Sequence, residues 1–272
     1  MDTVTVDGKV IAYRQSAGEQ RTVVLVHGNS ASSRTWQALL DGPFGRRFHC
    51  LALDLPGHGD SPRLSDKSGY SVPGYAATVA GFAAALDVRD AVLVGWSLGG
   101  HIVLEAAPLL GEVASGLMIF GTPPISSGAD LESAFLPHPA TANGFTGNLS
   151  AMQARDYAAA FLPPGSSLPL APFVTDILRT DGAARTGLAT SLAEGRAADE
   201  VAIAATLRQP LAVVHGRADQ LVSLAHIQSL SMPTLWRGTV QLLDNTGHAP
   251  HEERPEEFRG LLEEFIAELP SR

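Results

Sequence analysis

The feature that most constrains this chain is a series of short, continuous apolar runs, each ended by glycine or proline. Thr22–Val26 ends at His27-Gly28, Cys50–Leu53 at Asp54-Leu55-Pro56-Gly57-His58-Gly59, Ala91–Val94 at Gly95, and Gly116–Phe120 at Gly121-Thr122-Pro123-Pro124. Runs this short with no polar alternation predict strands buried on both faces, the condition of a parallel sheet. Helix-like stretches separate them around Arg34–Leu40, Val72–Leu86 and Leu98–Ala107. Strands alternating with helices predict βαβ units and an α/β fold. Ahead of this series, Thr3–Val6 and Lys9–Arg14 flank Asp7-Gly8, the pattern of a tight hairpin.

The rhythm breaks after Gly121. From Pro123 to about Gln209 no comparable strand is legible; the stretch is rich in Pro, Ala, Ser and Gly, with helical patches near Ala151–Phe161, Phe173–Arg179 and Arg185–Glu194. It resumes at Leu211–Val214 and Val240–Leu243, and the amphipathic series Phe258, Leu261, Leu262, Phe265, Ile266 predicts a terminal helix. The expected organisation is a discontinuous core, residues 1–122 and 210–272, interrupted by a mainly helical cap over 123–209.

Gly95-Trp96-Ser97-Leu98-Gly99-Gly100 carries the chemistry. It follows a buried-strand pattern and precedes a helix, the context that distinguishes a G-x-S-x-G nucleophile elbow from a serine in a glycine-rich turn. A serine hydroxyl needs a base oriented by a third group, and in such a fold the order is Ser, acid, His. His248, in Gly247-His248-Ala249-Pro250 past the last strand pattern, is the expected base. His251 is its rival, set at the start of an acidic segment expected to be exposed. Asp219, shortly after Leu211–Val214, is the expected acid, with Asp244 and Asp54 as competitors; Asp54 is read instead as bracing its own loop. The loop His27-Gly28-Asn29-Ser30 is placed to aim the Asn29 N–H at the site, with the Leu98 N–H as second oxyanion donor; otherwise Asn29 is a helix cap.

Other chemistries find little footing. With 28 acidic and 19 basic residues the formal charge is −9, which argues against nucleic acid as a partner. The nine histidines form no zinc-binding pattern, and no P-loop or dinucleotide fingerprint occurs, so neither cofactor nor metal is expected. No stretch reaches the roughly 18–20 apolar residues of a spanning helix, and the first residues lack the pattern of a signal peptide. With one cysteine, Cys50, a cytoplasmic protein is expected, and a monomer and a homodimer are both compatible.

These segments, with Arg179-Thr180-Asp181-Gly182 and Gly121-Thr122-Pro123-Pro124, resemble capped α/β-hydrolases, and more narrowly the serine-dependent N-acyl-homoserine lactone hydrolases of the AidH type. The resemblance spreads over nearly the whole chain and is weakest between Ile125 and Met152. It implies a mostly parallel eight-stranded sheet flanked by helices and an activity that opens a lactone ring bearing an acyl chain. Asp219 stands where the AidH type carries Glu, a change that keeps the role. The same resemblance implies substrate contacts from Trp96, Tyr157 and His27. A general carboxylesterase, a perhydrolase or a carbon–carbon bond hydrolase fits the same motifs, as does a non-catalytic small-molecule receptor.

Overall fold

The computed structural model describes residues 1–126 and 130–270; positions 127–129, within the expected cap, and 271–272 lie outside the described residues. Eight strands form one sheet: β1 (Asp2–Val6), β2 (Lys9–Gln15), β3 (Gln20–Val26), β4 (Phe48–Leu53), β5 (Ala91–Trp96), β6 (Ala114–Phe120), β7 (Leu211–Gly216) and β8 (Gln241–Leu243). Their order across the sheet is β1-β2-β4-β3-β5-β6-β7-β8. The β1–β2 and β2–β4 pairings are antiparallel and all others parallel. Asp7 and Gly8 both take positive φ in the β1–β2 turn, the geometry that suits the twist of a two-residue hairpin.

Every residue of β5, β6 and β7 is buried, which explains the unbroken apolar runs: each face is covered, so no position needs a polar side chain. Helix Leu98–Leu110 lies along β3, β5 and β6 and packs on helix Val72–Ala85. The terminal helix Pro255–Glu268 sets Phe258 against Phe120 at 4.8 Å between ring centroids. Gly116 leaves room on β6 for Phe265 and Leu269.

Between β6 and β7 the described residues add no strand to the sheet. They form a 3-10 segment, Pro139–Phe145, and helices including Ala151–Ala160, Ala171–Arg179, Gly182–Ala193 and Glu200–Thr206. Ser150 (a full capping box with Gln153), Asp181 and Asp199 cap three of these helices, so polar residues set where each begins.

This helical stretch is fastened to the strand-bearing part by polar contacts as well as packing. His101 Nδ1 lies 2.9 and 2.7 Å from the two carboxylate oxygens of Glu200. Glu200 also accepts from the Ile125 N–H, and Glu105, one turn beyond His101, accepts from the Ala198 N–H. Arg34 pairs with Asp176, and Tyr70 donates to Asp181 at 2.7 Å.

Candidate active site

The parallel strands deliver their following loops to one edge of the sheet, and the expected site residues sit there. β5 ends at Trp96, and Ser97 takes φ 53° and ψ −118° before helix Leu98–Leu110 begins. A non-glycine residue at positive φ costs on the order of 1–3 kcal/mol unless its surroundings hold it. Here the Ser97 N–H donates to the Phe120 carbonyl at 2.9 Å. The Ser97 carbonyl accepts from the Gly100 N–H and from Thr122 Oγ1, both at 2.8 Å. A Cβ at Gly99 would overlap the Val26 carbonyl oxygen, and one at Gly95 would overlap Gly99; the glycines of the motif let strand and helix backbones touch.

His248 lies beyond β8, with its Nε2 2.9 Å from Ser97 Oγ and its Nδ1 2.9 Å from Asp219 Oδ2. Asp219 is ionised and can only accept, so Nδ1 carries the proton and Nε2 is left to accept from the serine hydroxyl. The histidine backbone is clamped too: its N–H donates to the Phe161 carbonyl at 2.9 Å, and its carbonyl accepts from Trp96 Nε1 at 2.7 Å. The other Asp219 oxygen takes the Leu221 and Val222 N–H groups at 2.8 and 3.2 Å. Burial opposes the Asp219 charge, but His248 and these amides outweigh it and hold the carboxyl below its ordinary range.

The rivals go elsewhere. Asp244 is exposed and pairs with Arg217. Asp54 accepts from the Asp60 N–H of its own loop and from the Ser33 N–H of the loop after β3. His251 corrects an expectation: it is buried, not exposed, wedged 4.7 Å from both the Trp36 and Trp96 rings. Helix Pro255–Glu268 carries the acidic residues outward while Pro250–Glu253 turns His251 inward. Burial, reinforced by the neighbouring His248, lowers its pKa to about 3, so it is neutral.

The loop after β3 passes directly over the elbow. A Cβ at Gly28 would stand 3.0 Å from the Trp96 ring and 3.3 Å from Ser97 Cβ, so the backbone just before Asn29 runs against the serine. Leu98 is the first residue of its helix, where N–H groups lack intrahelical acceptors. Among the described residues neither the Asn29 nor the Leu98 N–H has a protein acceptor.

Two expected substrate contacts are not available as such. His27 is fully buried, with Nε2 accepting from the Leu55 N–H and Nδ1 donating to the Gly28 carbonyl. Both nitrogens are committed to backbone, so the ring is a buttress under the loop that carries Asn29. Trp96 is 1% exposed with its indole N–H spent on His248; it acts on the site by holding the histidine. Tyr157 is placed differently: it too is buried, but among the described residues its hydroxyl makes no hydrogen bond, and it abuts Gly144.

Phe161 and Phe173 went unnoticed in the sequence. Phe161 packs 5.5 Å from Trp96, 4.8 Å from Tyr157 and 6.0 Å from His248, and 5.9 Å from Phe173. They pack apolar rings against Trp96, with Phe161 also against His248, yet both lie in helical patches whose periodicity says only that one face is buried. Among the described residues no group of three or more His, Cys, Asp or Glu side chains is arranged to hold a metal ion.

Comparison with known proteins agrees with this fold. Residues 23–261 match the family model described as the alpha/beta hydrolase family. A pimeloyl-[acyl-carrier protein] methyl ester esterase of Methylococcus capsulatus is 31% identical over 261 residues, covering 94% of this chain and 98% of the relative. The structure of the N-acyl homoserine lactonase AidH complexed with N-butanoyl homoserine superposes with a TM-score of 0.93 at 33% identity, covering 100% of this chain and 98% of that one. An N-acyl homoserine lactone degrading enzyme matches at 25% identity and a TM-score of 0.79, covering 97% of this chain and 100% of the other.

Proposed function

This chain belongs to the alpha/beta hydrolase family, and on that premise we propose that it opens the lactone ring of N-acyl-homoserine lactones, with Ser97, His248 and Asp219 as its catalytic residues. The observation that carries the proposal is the unbroken chain from Ser97 Oγ to His248 to Asp219, both links 2.9 Å, with Phe161 packed on His248. The likeness to AidH over the full chain, cap included, favours a lactone as substrate.

Ser97 Oγ attacks the lactone carbonyl carbon as His248 Nε2 takes its proton. The carbonyl oxygen becomes an oxyanion held by the N–H groups of Asn29 and Leu98, a type of donor worth about 3–4 kcal/mol in the transition state. Collapse breaks the ring C–O bond, and His248 returns the proton to the departing oxygen. That alcohol stays tethered to the acyl group, so it competes to close the ring again. A water deprotonated by His248 must reach the ester first, and its attack releases Ser97 and leaves an acyl-homoserine carboxylate. Asp219 keeps Nδ1 protonated and stabilises the imidazolium throughout. Tyr157, with its free hydroxyl against Gly144, is assigned to a substrate carbonyl, and Phe161 and Phe173 to the acyl tail, where each buried CH₂ contributes about 0.8 kcal/mol at most.

A general carboxylesterase is the second reading, favoured by the likeness to the methyl ester esterase. One experiment separates them: ring opening measured across acyl-homoserine lactones of increasing chain length beside p-nitrophenyl esters, with wild type and Ser97→Ala. The proposal expects kcat/KM to be higher for lactones and Ser97→Ala to lose about 10⁴-fold or more in kcat. Faster turnover of the simple esters selects the carboxylesterase. A Ser97→Ala rate within about tenfold of wild type, less than one catalytic hydrogen bond is worth, removes Ser97 from the mechanism.

A further inference from the structure

Helix Gly182–Ala193 buries an arginine that the mechanism above does not use. Arg185 is 3% exposed; Asp181, already bonded to Lys67 and Tyr70, supports its charge from a distance, but among the described residues no carboxylate forms a direct ion pair with it. A buried charge without a counter-ion is costly unless its hydrogen bonds are satisfied. Its partners are instead carbonyls and one hydroxyl: Nε donates to Thr146 O at 2.7 Å, Nη2 to Gly147 O at 2.7 Å, and Nη1 to Ile177 O at 3.1 Å and Ser30 Oγ at 3.3 Å.

The last bond leads to the elbow. Ser30 Oγ donates onward to Asn29 Oδ1 at 3.1 Å, and Asn29 Nδ2 donates to the Gly144 carbonyl at 2.7 Å. Donors and acceptors run in one sense, from guanidinium to hydroxyl to amide to carbonyl. The segment from Gly144 to Gly147 closes the path into a ring. Ser30 itself sits at φ 59°, a left-handed conformation that a serine keeps only where neighbours hold it. Nothing in a surface salt bridge or a helix pair requires such a ring.

We propose that Arg185 is a positioning residue for the oxyanion loop: through Ser30 it fixes the Asn29 side chain against Gly144, and so sets the direction of the Asn29 N–H beside Ser97. The inference rests on the reading of Asn29 as an oxyanion donor. It also makes the donor's alignment depend on the Gly144–Gly147 segment being seated, so that the site is complete only when that segment is down. Lysine cannot replace it, because a single ammonium does not span a hydroxyl and three carbonyls in one plane.

The test uses Ser30→Ala, Arg185→Lys, Arg185→Ala and the Ser30→Ala/Arg185→Ala double variant, each checked for folding by circular dichroism and thermal melting. Diisopropyl fluorophosphate reads the hole without any assumption about substrate: Ser97 Oγ displaces fluoride from phosphorus while the phosphoryl oxygen occupies the oxyanion position. The phosphorylation rate, and kcat for p-nitrophenyl acetate, are expected to fall about 10- to 100-fold in Ser30→Ala, part of what a lost donor costs, with KM little changed. Arg185→Lys and Arg185→Ala should lose at least as much. The double variant should be no slower than Arg185→Ala alone, because both act through one chain.

Arg185 also borders a cavity of about 430 Å³ shared with Arg63 and Asp181, so millimolar methylguanidinium should restore part of the Arg185→Ala rate. A folded Ser30→Ala that phosphorylates at the wild-type rate overturns the relay, as does a double variant whose losses multiply. If Arg185→Ala does not fold, Ser30→Ala decides alone, since it leaves the carbonyl contacts of the guanidinium in place. A wild-type protein that diisopropyl fluorophosphate does not label overturns the reading of Ser97 and Asn29, and the relay with it.

Discussion

His248 is held at four points, and the distribution of those points explains what a change at each neighbour does. Ser97 and Asp219 hold the ring; Phe161 and Trp96 hold the backbone. Asp219 is the one partner that determines where the ring proton resides. Replaced by Asn, its amide nitrogen can face Nδ1 and push the proton to Nε2, which then has no lone pair for the Ser97 hydroxyl. Asp219→Asn is therefore expected to lower kcat by about 10⁴-fold with the fold retained, measured by turnover beside a melting curve; a loss under about 100-fold, no more than positioning alone supplies, would show that the carboxylate does not control the tautomer. Much at this scale was legible from spacing. Ser97, Asp219 and His248 each follow a strand run by one to five residues, and strand ends at one edge converge whatever the intervening chain. Asn29 and Leu98 lie at strand ends on the same edge, the placement their spacing predicts. His27, Trp96 and His251 were misread because residue type does not disclose whether a ring faces a cleft or is packed behind it. Arg185 carried no signal, since a lone arginine in a helical patch reads as solvated.

At the scale of elements, apolar runs locate the strands, and their ends are where reading fails. β5 runs to Trp96 and β7 to Gly216, beyond the apolar runs at Ala91–Val94 and Leu211–Val214, because ladder bonds continue into residues chosen for the site. Helices Pro43–Arg47 and Glu200–Thr206 were missed; each is short, and the second is held by helix Leu98–Leu110, about a hundred residues away. Helix Leu98–Leu110 links the elbow to the helical stretch between β6 and β7 through His101 and Glu105, two groups whose titrations burial and Glu200 displace. Burial pushes the Glu105 carboxyl up to about 7, with Glu200 adding to it and the Ala198 N–H opposing. His101 is raised as well, because the Glu200 carboxylate outweighs the burial that would lower it. In both cases the folded state holds protons the unfolded chain has released. Stability must then fall as pH rises, for Glu105 across the window from its ordinary 4.5 to about 7. Glu105→Gln keeps an acceptor for Ala198 and removes the titration. Its melting temperature should exceed that of the wild type by about 1–3 °C at pH 8, with the difference vanishing near pH 4.5. Parallel melting curves for the two proteins from pH 5 to 8 would show that Glu105 does not report this link.

For the molecule as a whole, the βαβ rhythm and its interruption were legible because a parallel sheet buries its strands and a helical excursion does not; the seating of the excursion on the sheet was not, because it depends on Tyr70, Arg34, His101 and Arg185, each reaching a partner about a hundred residues or more away. One whole-molecule property bears directly on the proposed substrate. The net charge of −9 repels anions and leaves neutral molecules unaffected. An acyl-homoserine lactone is neutral, whereas its ring-opened product is a carboxylate, so under the proposed activity the protein's own field would assist departure without hindering arrival. Surface fields reach roughly 30 Å at 0.01 M salt and about 8 Å at 0.15 M. Between those conditions kcat/KM for a lactone should change by less than about twofold, because a neutral substrate is not steered. Inhibition by added acyl-homoserine should become several-fold weaker at the low-salt end, where repulsion is least screened. An acyl group delivered on a highly charged carrier would behave differently, its KM shifting strongly with ionic strength. Initial rates for the lactone at the two salt concentrations, with and without added product, distinguish the cases, and a strong salt dependence of kcat/KM would count against a neutral substrate.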